Sequence, residues 1–216
     1  MNKKMLIIIC GLLISIILIL FFSFHYKIGN IGNNISKSTD DIVRYILNIN
    51  SYEAKISVTI ESNKTINKYE LKQLYSKPNL IKQTVEIPNN LSNLTLIYDG
   101  KSMKVENTQL SLTKIYEDYK YISQNTLWLS TFIDNYNDKS KIKDVGNEIL
   151  IENDNKYNEY NIKQVLYINK KTVLPTKLII YDNNQNTKIY IEYNEIQLNK
   201  VKQNEIIAFR LEKTNL

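Results

Sequence analysis

One cysteine, one histidine, three prolines and five glycines are all that the 216 residues contain of these types. The lone cysteine, Cys10, excludes any disulfide within the chain. The lone histidine, His25, stands near the N-terminus, so the body of the chain has no base for a Ser-His or Cys-His nucleophilic pair. His25 and Cys10 cannot start a zinc site, which needs three or four Cys, His or carboxylate ligands. The scarcity of glycine and proline argues against linkers and disorder, and there is no Gly-rich phosphate loop, internal repeat or low-complexity tail. Asp182-Asn183-Asn184-Gln185-Asn186 opens like a calcium loop, but Thr187 stands where the loop needs Gly and Tyr193 where it needs Glu. A solvated turn is the expectation there. The neighbouring carboxylates Asp40-Asp41 and Glu117-Asp118 would point in different directions on a helix, and helix-end electrostatics accounts for the first pair. No catalytic residue, metal or cofactor is expected, and the chain reads as a non-enzyme.

Charge is ordinary in amount and basic in balance, with a net +6 and a pI near 9.1. That balance suits anionic surfaces such as cell-wall polymers or lipid headgroups. The lysines are spread along the chain, without the concentrated basic face and reading motif that nucleic-acid binding needs. One long apolar run stands out. Behind Lys3 and Lys4, no charge occurs from Met5 to Phe24, where Met5, Leu6, Ile7, Ile8, Ile9, Leu12, Leu13, Ile16, Ile17, Leu18, Leu20, Phe21 and Phe22 supply most of the apolar surface. Roughly 20 such residues span the hydrocarbon core of a bilayer as a helix. Ser23-Phe24-His25-Tyr26 offers no small-x-small cleavage site, so an uncleaved signal anchor is expected. Ile9 before Cys10, with so short an apolar stretch ahead of it, is unsuited to lipid attachment. The lysines hold residues 1–4 in the cytoplasm by the positive-inside bias. Residues 5–24 then cross the cell membrane once, 25–34 form a tether, and 35–216 form an extracytoplasmic domain.

Within that domain a helix is expected after Ser38, with Asp40 and Asp41 in its first turn and an apolar stripe of Ile42, Ile46 and Ile49. The period then falls to two. Tyr52, Ala54, Ile56, Val58 and Ile60 alternate with polar residues, as a strand with one buried face does. Further strands are expected over Tyr69–Ser76, Ile81–Ile87, Leu94–Tyr98 and Met103–Val105, the last two joined at Asp99-Gly100, a hairpin signal. Tyr116 to Asn137 reads as more helical, with Leu129, Phe132, Ile133 and Tyr136 at helical spacing. Strands resume over Glu148–Glu152, Ile162–Ile168, Leu178–Tyr181, Lys188–Tyr193, Ile196–Leu198 and Ile206–Leu211.

Two stretches carry a family resemblance. Leu74-Tyr75-Ser76-Lys77-Pro78-Asn79-Leu80-Ile81-Lys82-Gln83, followed by Leu96-Ile97-Tyr98-Asp99-Gly100-Lys101-Ser102-Met103, is similar to a strand pair of the LolA-like lipoprotein-carrier superfamily. Val165-Leu166-Tyr167-Ile168-Asn169-Lys170-Lys171-Thr172-Val173-Leu174-Pro175 resembles that superfamily's later hairpin. Met103 stands where the family commonly has Trp, and Lys82 where it has Arg. Among its members, the membrane-anchored GerS-type germination and sporulation proteins of spore-forming Gram-positive bacteria look most similar. The resemblance implies an α+β fold: an N-terminal transmembrane helix, then an open, incomplete antiparallel β-barrel with helices covering its concave face. Lys77, Pro78, Asn79, Asp99, Gly100, Leu174 and Pro175 are its fold-marking positions. It also implies a non-catalytic partner of a cell-wall (spore cortex) amidase. The alternative is a carrier or sensor of lipid or lipoprotein with an apolar cleft for an acyl chain. Trp128, Phe132 and Tyr136 are the residues expected at a partner or ligand contact, set against the plainer reading of core packing.

Overall fold

The computed structural model describes residues 38–62, 64–78, 80–119, 126–154 and 163–200. The expected anchor and tether, Asn79, and the expected closing strand over 206–211 lie outside the described residues. Among the described residues no helix is long and apolar enough to cross a membrane.

The folded unit begins with α1 (Thr39–Leu47), which carries Asp40 and Asp41 in its first turn and buries Ile42, Val43 and Ile46. Those acids face the positive end of the helix dipole, and the buried residues form its apolar stripe. Six strands follow: β1 (Ser51–Glu61), β2 (Ile66–Ser76), β3 (Leu80–Ile87), β4 (Leu94–Tyr98), β5 (Met103–Asn107) and β6 (Leu112–Tyr116). A connection containing α2 (Leu129–Asn135) leads to β7 (Lys141–Val145), β8 (Glu148–Asp154), β9 (Lys163–Asn169), β10 (Leu174–Tyr181) and β11 (Thr187–Leu198). All eleven strands form one sheet in the order β6-β5-β4-β3-β2-β1-β11-β10-β9-β8-β7. The chain therefore meanders outward from β1 to β6, crosses with α2, and meanders inward from β7 until β11 pairs antiparallel with β1. Among the described residues the sheet is open, with β6 and β7 as its two edges.

Period-two patterning fixes the faces. On β1, Tyr52, Ala54, Ile56 and Val58 are buried while Lys55 and Glu61 are exposed. Their neighbours Leu71 and Tyr75 on β2 and Ile189, Ile191 and Tyr193 on β11 join the same core with α1 and α2. Each such aliphatic side chain contributes about 1.5–3 kcal/mol on burial. The turns follow the sequence chemistry. Asp99 Oδ1 accepts from the Lys101 and Ser102 N–H groups at 3.0 and 2.8 Å, and Gly100 takes φ 93°. Asn169 Oδ1 accepts from Lys171 and Thr172 N–H, and Leu174-Pro175 opens β10. These are Asx turns, in which a short side chain replaces a backbone acceptor. Lys77-Pro78 occupies the β2–β3 turn with a cis peptide bond.

Three expectations need correction. Of the more helical stretch expected over Tyr116–Asn137, Tyr116 ends a strand and Leu129–Asn135 is helix, while 120–125 lie outside the described residues. β6 and β7 have no expected counterpart: every residue of both is exposed, so neither needs the apolar alternation that reveals a half-buried strand. The separate strands expected over Lys188–Tyr193 and Ile196–Leu198 are one strand, with an irregularity in its pairing at Lys55/Ile56 that accommodates the break in alternation.

Candidate functional site

Among the described residues, two regions of the sheet face that carries the core are candidates to receive another molecule. The first is its centre, under α2. Trp128 and Phe132, the expected contact residues, are 1% and 0% exposed, and Tyr136 is half-buried against the same core. Trp128 and Phe132 therefore offer no surface to a docking partner. The Trp128 ring lies 6.4 Å from that of Tyr52, which lies 5.4 Å from Tyr75. Burial pushes the Tyr75 phenol up to about 12, with Asp134 adding to the shift. Burial also raises Tyr52, reinforced by Tyr193, and raises Tyr193 itself. Asp134 is lifted by its own desolvation, with Lys77 opposing.

Carboxamides pin α2 to the sheet. Asn135 Nδ2 donates to Gln164 Oε1 at 3.0 Å, Asn153 Nδ2 to the Phe132 carbonyl at 3.0 Å, and Gln73 Nε2 to the Leu127 carbonyl at 3.4 Å. Asn153 and Gln164 are cross-strand neighbours on β8 and β9. All four of these carboxamide side chains are buried, and each makes at least one hydrogen bond, while Asn135 Oδ1, Asn153 Oδ1 and Gln164 Nε2 are buried without a hydrogen-bond partner. The region under α2 is thus occupied by the chain's own side chains, which these three hydrogen bonds tie to the sheet.

The second region lies at the β6 end. Moving from β3 to β6 along one row, Ile81, Tyr98, Met103 and Tyr116 are paired in succession, and cover runs out at the last. Leu110, Leu112 and Tyr116 are 63%, 60% and 37% exposed. With Leu91, Leu94 and Val105 they line a groove of about 500 Å³. Lys114 shares the groove, its ammonium 4.9 Å from the Tyr116 ring centre. Sequence reasoning missed this region because Leu110 and Leu112 look like isolated surface leucines until β6 places them beside Leu94 and Val105.

Among the described residues no three His, Cys, Asp or Glu side chains come together in a way that could hold a metal ion. At the turn that opens like a calcium loop, Asp182 Oδ1 already accepts from the Asn184 and Asn186 N–H groups, and Oδ2 faces Lys188 at 3.5 Å. Despite the burial opposing it, these hydrogen bonds and Lys188 hold that carboxyl below its ordinary value. At the α1 start, Asp144 accepts from Lys170 and, at 2.6 Å, from Thr39 Oγ1. Lys170 first and Thr39 second lower that carboxyl, and the trio ties α1 to β7 and the β9–β10 turn.

A family model described as sporulation protein YdcC-like matches residues 3–206. The chain belongs to that family. No curated protein matches this YdcC-like chain. Among solved structures, one that is similar is the CwlD amidase from Clostridioides difficile in complex with the GerS lipoprotein, at 26% identity and a TM-score of 0.47, covering 75% of this chain and 97% of that one. An uncharacterised conserved protein from Thermus thermophilus is 8% identical with a TM-score of 0.51, over 78% of this chain and 92% of that one, and shows the fold. A LolA superfamily protein from Nitrosomonas europaea is 11% identical with a TM-score of 0.43, over 78% of this chain and 96% of that one.

Proposed function

We propose that this YdcC-like chain is a non-catalytic binding protein held on the outer side of the cell membrane by residues 5–24. It engages a cell-wall amidase during sporulation or germination, a role in keeping with its LolA-like motifs at Lys77-Pro78-Asn79 and Asp99-Gly100 and its membership of the YdcC-like sporulation family. The observation that carries the binding-protein reading is the filled concave face. Trp128, Leu129 and Phe132 occupy it, and the Gln73, Asn153 and Gln164 carboxamides lock the segment bearing them to the sheet. A domain so filled presents its outside to partners. Family membership supplies the setting.

The test is co-purification of tagged full-length chain from sporulating cells. Recovery of a cell-wall amidase, with altered cortex in a deletion strain, supports the reading. Recovery of no exterior enzyme together with normal cortex defeats it. A reporter fused at the C-terminus that is active only in the cytosol would defeat the topology separately.

The apolar groove beside β6 favours a second reading, an acyl-chain carrier or sensor. Native mass spectrometry of the purified domain separates the two: a co-purifying lipid supports the carrier, and a lipid-free domain with a tight protein partner supports the binding protein.

A further inference from the structure

The two edges of the sheet are built differently. β7 reads Lys-Ile-Lys-Asp-Val, with three charges in five residues, whereas β6 reads Leu-Thr-Lys-Ile-Tyr, with one. An unpaired edge presents a row of free backbone donors and acceptors, and charge on the strand is a common protection against unwanted pairing. β7 has that protection: Lys143 pairs with Glu152 at 3.4 Å and Asp144 with Lys170. β6 lacks it and lies beside the apolar groove.

We propose that the outer edge of β6 is a strand-addition site for an extended segment of a protein partner, one that carries an acidic residue flanked at alternate positions by apolar ones. The proposal rests on the reading that the domain binds a protein partner. It follows from three observations. The edge, unpaired among the described residues, demands a strand, because only an extended backbone satisfies a row of donors and acceptors at strand spacing. The registers Leu94–Asn107–Leu112, Leu96–Val105–Lys114 and Tyr98–Met103–Tyr116 then fix what that strand must carry. Side chains opposite Leu112, Lys114 and Tyr116 fall at i, i+2 and i+4 and point to one face, the grooved one. Those opposite Leu112 and Tyr116 meet apolar surface. The middle one meets Lys114, which among the described residues has no carboxylate within ion-pair distance and only the Tyr116 ring beneath it. A partner carboxylate completes that site, and the pattern apolar-x-acid-x-apolar is the specificity the geometry assigns.

The experiment uses the detergent-solubilised full-length chain and two fluorescent peptides that alternate isoleucine and threonine around a central residue, glutamate in one and lysine in the other. Cross-strand charge pairs set the expected discrimination at about fivefold. Wild type binds the glutamate peptide tighter by that factor, Lys114→Glu reverses the preference, and Lys143→Glu on β7 leaves it in place. Circular dichroism verifies that both variants fold. The proposal is overturned if neither peptide binds, if wild type does not discriminate, or if Lys143→Glu shifts the preference as much as Lys114→Glu. It is likewise overturned if oleate displaces the glutamate peptide from wild type, which would give the groove to an acyl chain. Self-association that Lys114→Glu abolishes would give the edge to a second copy and overturn it too. If an amidase co-purifies equally with wild type and Lys114→Glu, the partner reading stands and the edge assignment fails. If it co-purifies with neither while wild type still selects the glutamate peptide, the edge assignment stands and the amidase is the wrong partner.

Discussion

Replacing Phe132 by alanine tests whether the concave face is a sealed core or an adaptable cleft. Phe132 is fully buried, and its carbonyl holds the Asn153 side chain at 3.0 Å. The helix it belongs to has seven residues, too short to persist in water without tertiary contacts. Phe→Ala in a packed interior costs about 3–5 kcal/mol, lost transfer energy plus the cavity left behind. Set against a total stability of roughly 5–15 kcal/mol, that is a large share. For a domain of this size each kcal/mol moves Tm by about 2–4 °C, so the variant should melt about 6–20 °C lower. The assay is urea unfolding of residues 35–216, followed by circular dichroism and tryptophan fluorescence together. The midpoint should fall with an unchanged slope, which marks a loss of stability without a change in compactness. Trp128, the only tryptophan, sits four residues from the substitution and reports on the site directly. A loss below about 1 kcal/mol would refute the reasoning. It would mean that the neighbours of Phe132 close over the gap at little cost, as the wall of an adaptable ligand cleft can and a packed core does not.

Two pH dependences follow from the same packing. Tyr52, Tyr75 and Tyr193 have folded-state values above the ordinary phenol, Tyr75 at about 12. A raised folded value means that their contribution is complete below the unfolded pKa of about 10 and is lost as pH rises through the folded one. Tyrosinate absorbance should therefore show a late-titrating group whose ionisation coincides with loss of the circular dichroism signal. If all the tyrosines titrate near the ordinary phenol value with the fold intact, the buried cluster is wrongly placed. Asp144 is shifted the other way, by Lys170 and then Thr39. Its contribution is present above the unfolded value of about 3.9 and is lost as pH falls through the folded one. Asp144→Asn should melt below wild type at neutral pH, with the gap closing in acid; a gap that persists in acid would trace the defect to something other than the carboxylate charge.

How far the sequence could be read depended on which faces were buried. β1 alternates cleanly because one side lies in the shared core and the other is more exposed, so its residues declare both its type and its orientation. The hairpins at Asp99-Gly100 and Asn169-Lys170 were legible because their side chains make the turns themselves. β6 and β7 were not, because an edge strand with both faces exposed has no packing constraint to write into its sequence. The helical spacing of Leu129, Phe132, Ile133 and Tyr136 located α2 but overstated its length, since Tyr136 already has extended backbone (φ −60°, ψ 135°). Trp128 precedes the helix and is buried with it, a placement that spacing alone left open between core and contact. The groove at β6 depended on register, which lines Leu112 up with Asn107 and, across one strand, with Leu94 earlier in the chain.

The polar seam beneath α2 weighs against an acyl chain lodged under that helix in quantitative terms. An acyl chain lodged at the concave centre would have to displace the segment from Leu127 to Asn135. That would break the hydrogen bonds of Gln73 to the Leu127 carbonyl, Asn153 to the Phe132 carbonyl and Asn135 to Gln164. Methylene groups offer no replacement partner, and each buried polar group left unpaired costs about 1–3 kcal/mol. Three such losses amount to about 3–9 kcal/mol, before counting the exposure of Leu129 and Phe132. A buried methylene returns about 0.8 kcal/mol, so roughly four to eleven of them would be consumed in restoring the balance. A cleft selected for acyl chains would line those inward positions of β2, β8 and β9 with aliphatic residues. Here they hold Gln73, Asn153 and Gln164, which hydrogen-bond the chain's own α2 segment.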